Sequence, residues 1–336
     1  MQRRRIIQVG LGAMGRGWAR LVAESRRWAA AAYVDINESN LMDAAAAHGM
    51  PKDRCFTDFN EAVGAIEAEA VLDVTPPQAR TAVCLEAFRN GLHVLCEKPL
   101  ADTVAEATAI VDAAARANRT FMVAQNYRYQ PVMQTMRRVM EKGRLGSIGY
   151  VNIAFFKGPH FGGFREQMPY PLALDMCIHH FDLLRFLLGD DIETVQAASI
   201  NAPWNWNRGD ATIMTQLEMG SGVVANYCGS WVSTGWETGW NADWRIEGSK
   251  GVLLLEQDTV YFSNKPGSRK KMPLLKFPRM HQAYLLDAFA RALDTGEEPE
   301  TSGKNNLNSF AATHAVVCAA EERRRVLVRE LIDAAW

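Results

Sequence analysis

Ile6-Ile7-Gln8-Val9-Gly10-Leu11-Gly12-Ala13-Met14-Gly15-Arg16 joins a short apolar run to a G-x-G-x-x-G turn, and the stretch Arg16–Glu24 that follows has a helical pattern. A strand, a glycine turn and a helix in this order make a phosphate cradle. Gly10 allows the tight turn, Gly12 lets backbone approach a pyrophosphate, and Gly15 lets helix and strand pack closely. The start of the helix, at Ala13 and Met14, offers unpaired N–H groups and the positive end of its dipole to an anion. A glycine-rich turn with no ligand has the same bare pattern, so the flanking sequence has to decide.

A second apolar run, Ala29–Val34, ends at Asp35, 20 residues beyond Gly15. A dinucleotide site places an acid there to accept hydrogen bonds from the adenosine ribose. The competing role for Asp35 is a strand-end cap. No Arg or Lys occurs between Asp35 and Lys52 to neutralise a 2′-phosphate. The expected cofactor is therefore NAD(H), ahead of NADP(H).

The chain has 336 residues, 48% of them hydrophobic and 22% charged, which suits two globular domains. A net charge of −1 gives no electrostatic reason to expect nucleic acid or a membrane as partner. Arg3, Arg4 and Arg5 imitate the start of a signal peptide, but the apolar run behind them is short and leads into the glycine turn. No segment is long enough to span a bilayer. The six cysteines are scattered without a C-x-x-C, so free thiols in a cytoplasmic protein are expected, with no metal framework.

The first part of the chain alternates two patterns. Ile6–Val9, Ala31–Val34, Ala70–Val74, His93–Cys96 and Phe121–Ala124 predict strands. Gly15–Ser25, Leu41–His48, Asn60–Ile66, Ala79–Asn90 and Val104–Ala117 predict helices. Such alternation predicts a parallel sheet covered on both faces. Beyond residue 125 come helical Gln130–Lys142 and Leu172–Leu188, then β-rich runs from Thr194–Ile200 to Val260–Ser263, with a hairpin turn at Met219–Gly222. Helical His281–Asp294 and Asn305–Glu322 close the chain. The expected class is α/β. A Rossmann dinucleotide-binding domain spans 1–125, and an α+β domain with a large open, mainly antiparallel sheet spans 126–336.

Ligands of an open parallel sheet bind beyond the carboxyl ends of its strands. That rule places Thr75, Pro76, Glu97, Lys98 and Asn126 on the cofactor side. Lys98 also reads as a surface lysine in a turn. Asp175, His179 and Asp182 are spaced i, i+4, i+7 and share one face of a continuous helix. Carboxylates beside an imidazole fix its tautomer and suit it to general acid–base work. A structural His–Asp pair or a zinc site would use the same residue types. In Asn126-Tyr127-Arg128-Tyr129, Arg128 and the tyrosines either line the pocket or pack a domain junction; Arg128 and Tyr129 are the substrate candidates. The loop Gly158–Arg165 supplies His160 and Arg165, and also reads as a flexible lid. Six of the nine tryptophans fall between Trp204 and Trp244. Aromatic faces suit sugars, but the favoured reading is a sheet buried in a subunit interface.

The order of these motifs resembles the Gfo/Idh/MocA family of NAD(P)-dependent sugar and polyol oxidoreductases. The matching elements are G-L-G-A-M-G at 10–15, Asp35, E-K-P at 97–99, N-Y-R-Y at 126–129, D-M-C-I-H-H-F-D at 175–182, E-G-S-K-G at 247–251 and P-E-T-S-G at 299–303. The histidine motif looks most like the inositol dehydrogenase branch. The resemblance implies a catalytic set of Lys98, Asp175 and His179, and a second domain that binds substrate and forms a homodimer or homotetramer. It implies hydride transfer between NAD and a secondary alcohol of a cyclic sugar or polyol. Glycoside cleavage by transient oxidation, elimination and re-reduction is the alternative reaction, and a non-catalytic nucleotide-bound sensor the alternative class.

Overall fold

The alternation in the first part of the chain becomes a six-stranded sheet in the computed structural model, which describes residues 3–277 and 279–334. Strands β1 (Arg4–Val9), β2 (Trp28–Val34), β3 (Cys55–Phe56), β4 (Ala70–Asp73), β5 (His93–Cys96) and β6 (Phe121–Val123) lie in the order β3-β2-β1-β4-β5-β6. Every pairing is parallel. The order reverses at β1 and β4, the switch point where a dinucleotide fold opens its binding crevice. Ile6, Ile7, Val71, Leu72, Val94 and Leu95 are fully buried, as a sheet covered on both faces requires.

Helices α1 (Ala13–Glu24), α2 (Glu38–His48), α3 (Phe59–Ala65), α4 (Pro77–Arg89) and α5 (Val104–Ala117) connect the strands. Their ends follow local chemistry. Asn37 caps α2, Pro77 opens α4, and Thr103 with Glu106 forms a capping box on α5.

Among the described residues the chain divides into two compact units, 3–126 with 279–307, and 127–277 with 308–334. The return of 279–307 corrects the expectation that everything after 125 belongs to the second domain; residues 1–2, 278 and 335–336 of the expected ranges lie outside the described residues. The cause is packing on β1 and β2. In the helix His281–Thr295, Phe289 stacks on Trp28 with ring centroids 5.3 Å apart, and Leu286 accepts the Trp28 indole N–H at 2.8 Å. Arg4 and Arg27 both pair with Asp294.

The second unit holds β7 (Ile148–Phe156), β8 (Ile192–Ile200), β9 (Thr212–Met219), β10 (Val224–Ser230), β11 (Asp243–Gly248), β12 (Gly251–Glu256), β13 (Thr259–Ser263), β14 (Lys270–Lys271) and β15 (Val326–Leu327). Their order is β14-β13-β12-β11-β7-β10-β9-β8-β15, and only β7 and β10 pair in parallel. The turn predicted at Met219–Gly222 joins β9 to β10, with Gly222 in the left-handed region at φ 83°. β7, at the centre of the sheet, was not anticipated, although Val151, Ile153 and Phe155 alternate inward with outward Asn152. One face of the sheet is buried. The helix Cys177–Leu188, buried at all but its last residue, packs there through Phe181 on Tyr227. The outer face carries a concavity of about 800 Å³ lined by Asn152, Met214, Gln216, Asn226, Arg245 and Leu254. Among the described residues no helix is long and apolar enough to cross a membrane.

Candidate active site

The glycine turn is built as its spacing demands. Gly10 has φ 91°, and a Cβ there would lie 2.7 Å from the Val74 backbone. A Cβ on Gly15 would lie 2.2 Å from the Gly10 carbonyl oxygen, whereas one on Gly12 would meet nothing within 4 Å. Gly10 and Gly15 therefore serve the fold, and Gly12 keeps space open above the turn. No side chain caps α1 at Gly12, so its first N–H groups stay available to an anion. Ala13 and Met14 are exposed beside them.

Gln8 was not singled out from the sequence. Its buried amide donates to the carbonyls of Gly15 at 2.7 Å and Gly10 at 3.2 Å, and fastens the turn from below. The signal was a polar residue inside the otherwise apolar run Ile6–Val9. Asp35 accepts from Leu11 N–H at 2.6 Å and Asn37 N–H at 2.8 Å, which fixes its carboxylate beside the turn. An open N–H cradle at α1 with an acid at the end of β2 fits the pyrophosphate and ribose of NAD.

At the end of β4, Thr75 donates through N–H (2.9 Å) and Oγ1 (2.6 Å) to Asp73. Complete burial raises the Asp73 pKa, although nearby Arg80 pulls it down. Arg80 donates to the carbonyls of Thr75 and Pro99, and so ties the ends of β4 and β5 together. Pro76 caps α4. Glu97 follows β5. It is only 7% exposed, and its carboxylate accepts the Trp18 indole N–H at 2.7 Å and the Lys98 backbone N–H at 3.1 Å. These bonds fix the turn that carries Lys98. Asn126 opens a 3-10 turn, Asn126–Tyr129.

The second unit carries the imidazole. Asp175 lies in a π-helical turn, Leu172–Met176, and the α-helix begins only at Cys177, so His179 sits in its first turn. This interrupts the continuous helix that put Asp175, His179 and Asp182 on one face. Asp182 is 1% exposed and takes Nε and Nη2 of Arg128, both at 2.6 Å. Arg128, expected at the substrate, is a buried strut that also lies 5.4 Å from the centroid of the Phe186 ring. Tyr129, the second substrate candidate of that motif, is 2% exposed and part of the core.

Tyr127 is the residue of the motif that reaches the site. Its ring stacks on His179 with centroids 4.1 Å apart and planes 15° from parallel. Burial, with Asp175 and Asp258 adding, pushes its phenol up to about 12, so the ring is neutral near pH 7. Arg165 donates through Nε to Asp175 at 2.8 Å. His160 stacks on Trp206. His180 bridges the Tyr227 hydroxyl and the Trp240 carbonyl, both at 3.1 Å, and burial lowers its pKa to about 4. The second unit thus brings together Tyr127, Asp175, His179 and Arg165, and Lys98 belongs to the first unit with the glycine turn. An imidazole near a carboxylate on a fixed aromatic platform is equipped to move a proton. Among the described residues no group of three His, Cys, Asp or Glu is placed to hold a metal ion.

Comparison with known proteins identifies the family of both units. Residues 4–125 match the oxidoreductase family with an NAD-binding Rossmann fold, and residues 133–254 match the GFO/IDH/MocA C-terminal domain. The 1,5-anhydro-D-fructose reductase of Ensifer adhaerens is 30% identical over 276 residues, covering 79% of this chain and 81% of the relative. The myo-inositol 2-dehydrogenase of Thermotoga maritima is 25% identical over 318 residues, covering 89% and 90%. A crystal structure of an oxidoreductase from Agrobacterium radiobacter with NAD+, L-tartaric acid and magnesium shares the fold, with TM-score 0.89 at 20% identity, covering 98% of this chain and 100% of that one. The first unit is an NAD-binding Rossmann domain. The chain belongs to the Gfo/Idh/MocA family of oxidoreductases, and its relatives include named sugar and polyol dehydrogenases and reductases.

Proposed function

We propose that this protein transfers a hydride reversibly between NAD and a secondary alcohol of a cyclic sugar or polyol. The observation that carries this reading is His179, stacked face-on by neutral Tyr127 beside Asp175, in a chain whose glycine turn is built for NAD. NAD, when bound, accepts the hydride or returns it. The N–H groups at Gly12, Ala13 and Met14 hold its pyrophosphate, Asp35 its adenosine ribose, and Thr75, Pro76 and Asn126 line its path. Asp35, with no cation before Lys52, selects NAD over NADP. His179 takes the hydroxyl proton in oxidation and gives it back in reduction. Asp175 supports the charged imidazole, and Lys98 completes the proposed catalytic set as a donor to developing alkoxide charge. Relatives named for inositol and anhydrofructose favour a cyclic polyol or sugar. The open outer sheet face suits a homodimer or homotetramer, and the substrate is a small molecule rather than nucleic acid or a membrane.

The test uses purified protein, NAD+ and a panel of inositols, sugars and glycosides, with NADH absorbance and released aglycone followed together. His179→Ala and Lys98→Ala are each expected to lower kcat by about a hundredfold or more and to leave NADH affinity within about threefold. Near-normal turnover in both variants sinks the assignment. Free aglycone without net NADH would redirect it to redox-recycling cleavage.

A further inference from the structure

We propose that the aromatic cluster around the Gly158–Arg165 loop is a second subsite for a ring-bearing substituent, so that the substrate is a glycoside rather than a free monosaccharide. The inference rests on the reading that Asp175 and His179 act on a sugar hydroxyl. Most of the clustered tryptophans sit in loops, not in the sheet: Trp244 lies in β11, whereas Trp204, Trp206, Trp231, Trp236 and Trp240 lie outside the strands. Three of them, Trp206, Trp231 and Trp240, lie against the 158–165 loop. His160 stacks on Trp206 with centroids 4.0 Å apart, and Phe161 lies 5.7 Å from Trp231 and 6.3 Å from Trp240. Phe161 remains 49% exposed and Trp240 39% exposed, so part of each side chain is open to a ligand.

The indole N–H groups separate this cluster from the other tryptophans. Those of Trp18, Trp28, Trp204 and Trp244 all donate to protein acceptors. Those of Trp206 and Trp231 are buried and have no acceptor among the described residues. Buried donors without partners are rare in native proteins and mark a place where something else supplies the acceptor. A purely apolar occupant offers such a donor no acceptor, and a small anion would leave the rings bare. A sugar ring, or a phenolic aglycone, brings a flat face for the aromatics and oxygens for the N–H groups.

Arg165 links the cluster to the chemistry. Its guanidinium lies 5.4 Å from the centroid of Phe161 and 4.8 Å from that of Phe164, and it pairs with Asp175. Asp175 already offsets its charge, so the cluster does not call for an anionic ligand. A ring held by these aromatics would be joined through its glycosidic bond to the ring presented to Asp175 and His179.

The experiment compares D-glucose and D-galactose with their methyl glycosides, with cellobiose and lactose, and with the phenyl glycosides. Two readouts are taken on NAD-loaded protein: kcat/KM for NADH formation, and affinity from tryptophan fluorescence, which needs no turnover. A disaccharide or phenyl glycoside is expected to exceed its monosaccharide by at least tenfold in one or both, and the two classes distinguish a sugar from an aromatic occupant. Trp206→Phe combined with Trp231→Phe keeps the rings and removes the N–H groups; it is expected to cut that preference at least fivefold. Phe161→Ala, at an exposed loop position, should do the same. Equal constants for monosaccharide and glycoside, no binding across the panel, or an unchanged preference in the variants overturns the proposal. A Phe161→Ala effect seen only in oligomer mass by light scattering also overturns it and makes the cluster an interface. Glycoside-selective binding without turnover leaves the subsite standing and refutes the hydride-transfer reading, whereas turnover without selectivity does the reverse.

Discussion

His179 and His180 are neighbours in the chain with opposite surroundings. His179 lies on Tyr127, and His180 is fully buried between the Tyr227 hydroxyl and the Trp240 carbonyl. Burial lowers the His180 pKa to about 4, against about 6.5 in an unfolded chain. The unfolded chain therefore binds this proton first. The contribution of neutral His180 to stability is complete above about pH 6.5 and falls away as the pH drops toward 4. Urea unfolding between pH 7 and 5 is expected to show wild type losing stability faster than His180→Asn; parallel curves would contradict the buried neutral assignment. At this scale the sequence was legible in residue types more than in directions. The N-Y-R-Y motif pointed to a polar, aromatic corner, but a 3-10 turn sends Tyr127 to His179 and buries Arg128 on Asp182. Spacing along the motif carries no information about that turn.

The β1–α1 turn was readable as an element because each glycine answers a separate steric demand. Those demands make different predictions for two similar substitutions. Gly15→Ala would put a methyl group 2.2 Å from the Gly10 oxygen, so it is expected to destabilise the cofactor-free protein. Overpacking of this kind costs about 1–3 kcal/mol. Gly12→Ala meets nothing within 4 Å and has φ −61°, so its apoprotein melting temperature should hardly change. Its NADH affinity should nevertheless fall by about tenfold or more, because the added methyl group occupies the approach of the pyrophosphate. Calorimetric melting and NADH fluorescence separate the two effects; equal melting temperatures would refute the tight contact at Gly15. The element holding Asp175 was harder to read. D-x-x-x-H spacing implies one continuous helix, and nothing local in Leu172–Met176 announces a π-helical turn.

Periodicity reports which face of an element is buried, not what it is buried against, and this limits what a whole molecule reveals in its sequence. Alternation was enough for the Rossmann sheet, whose strands are joined in chain order by helices. It was not enough for residues 279–307, because Leu286 meets Trp28 across 258 residues. Nor did it place β7, whose parallel partner β10 lies far along the chain. The same limit applies to the outer face of the nine-stranded sheet. Met214, at 51% exposure, shares its concavity of about 800 Å³ with Ala154, Ala198 and Leu254. Antiparallel sheets tolerate one wet face, but this face sets Met214, Ala154, Ala198 and Leu254 beside a polar row of Gln216, Asn226 and Arg245, a mixture that suits an association surface. A second copy of the chain would meet it about a twofold axis, the commonest arrangement for such a surface. Light scattering is expected to give at least the mass of a dimer for wild type. Met214→Glu, which places a charge in the concavity, should shift the mass toward the monomer and leave NADH affinity unchanged, since the glycine turn belongs to the other unit. A monomeric wild type, or a Met214→Glu variant of unchanged mass, would show that this face is not the interface.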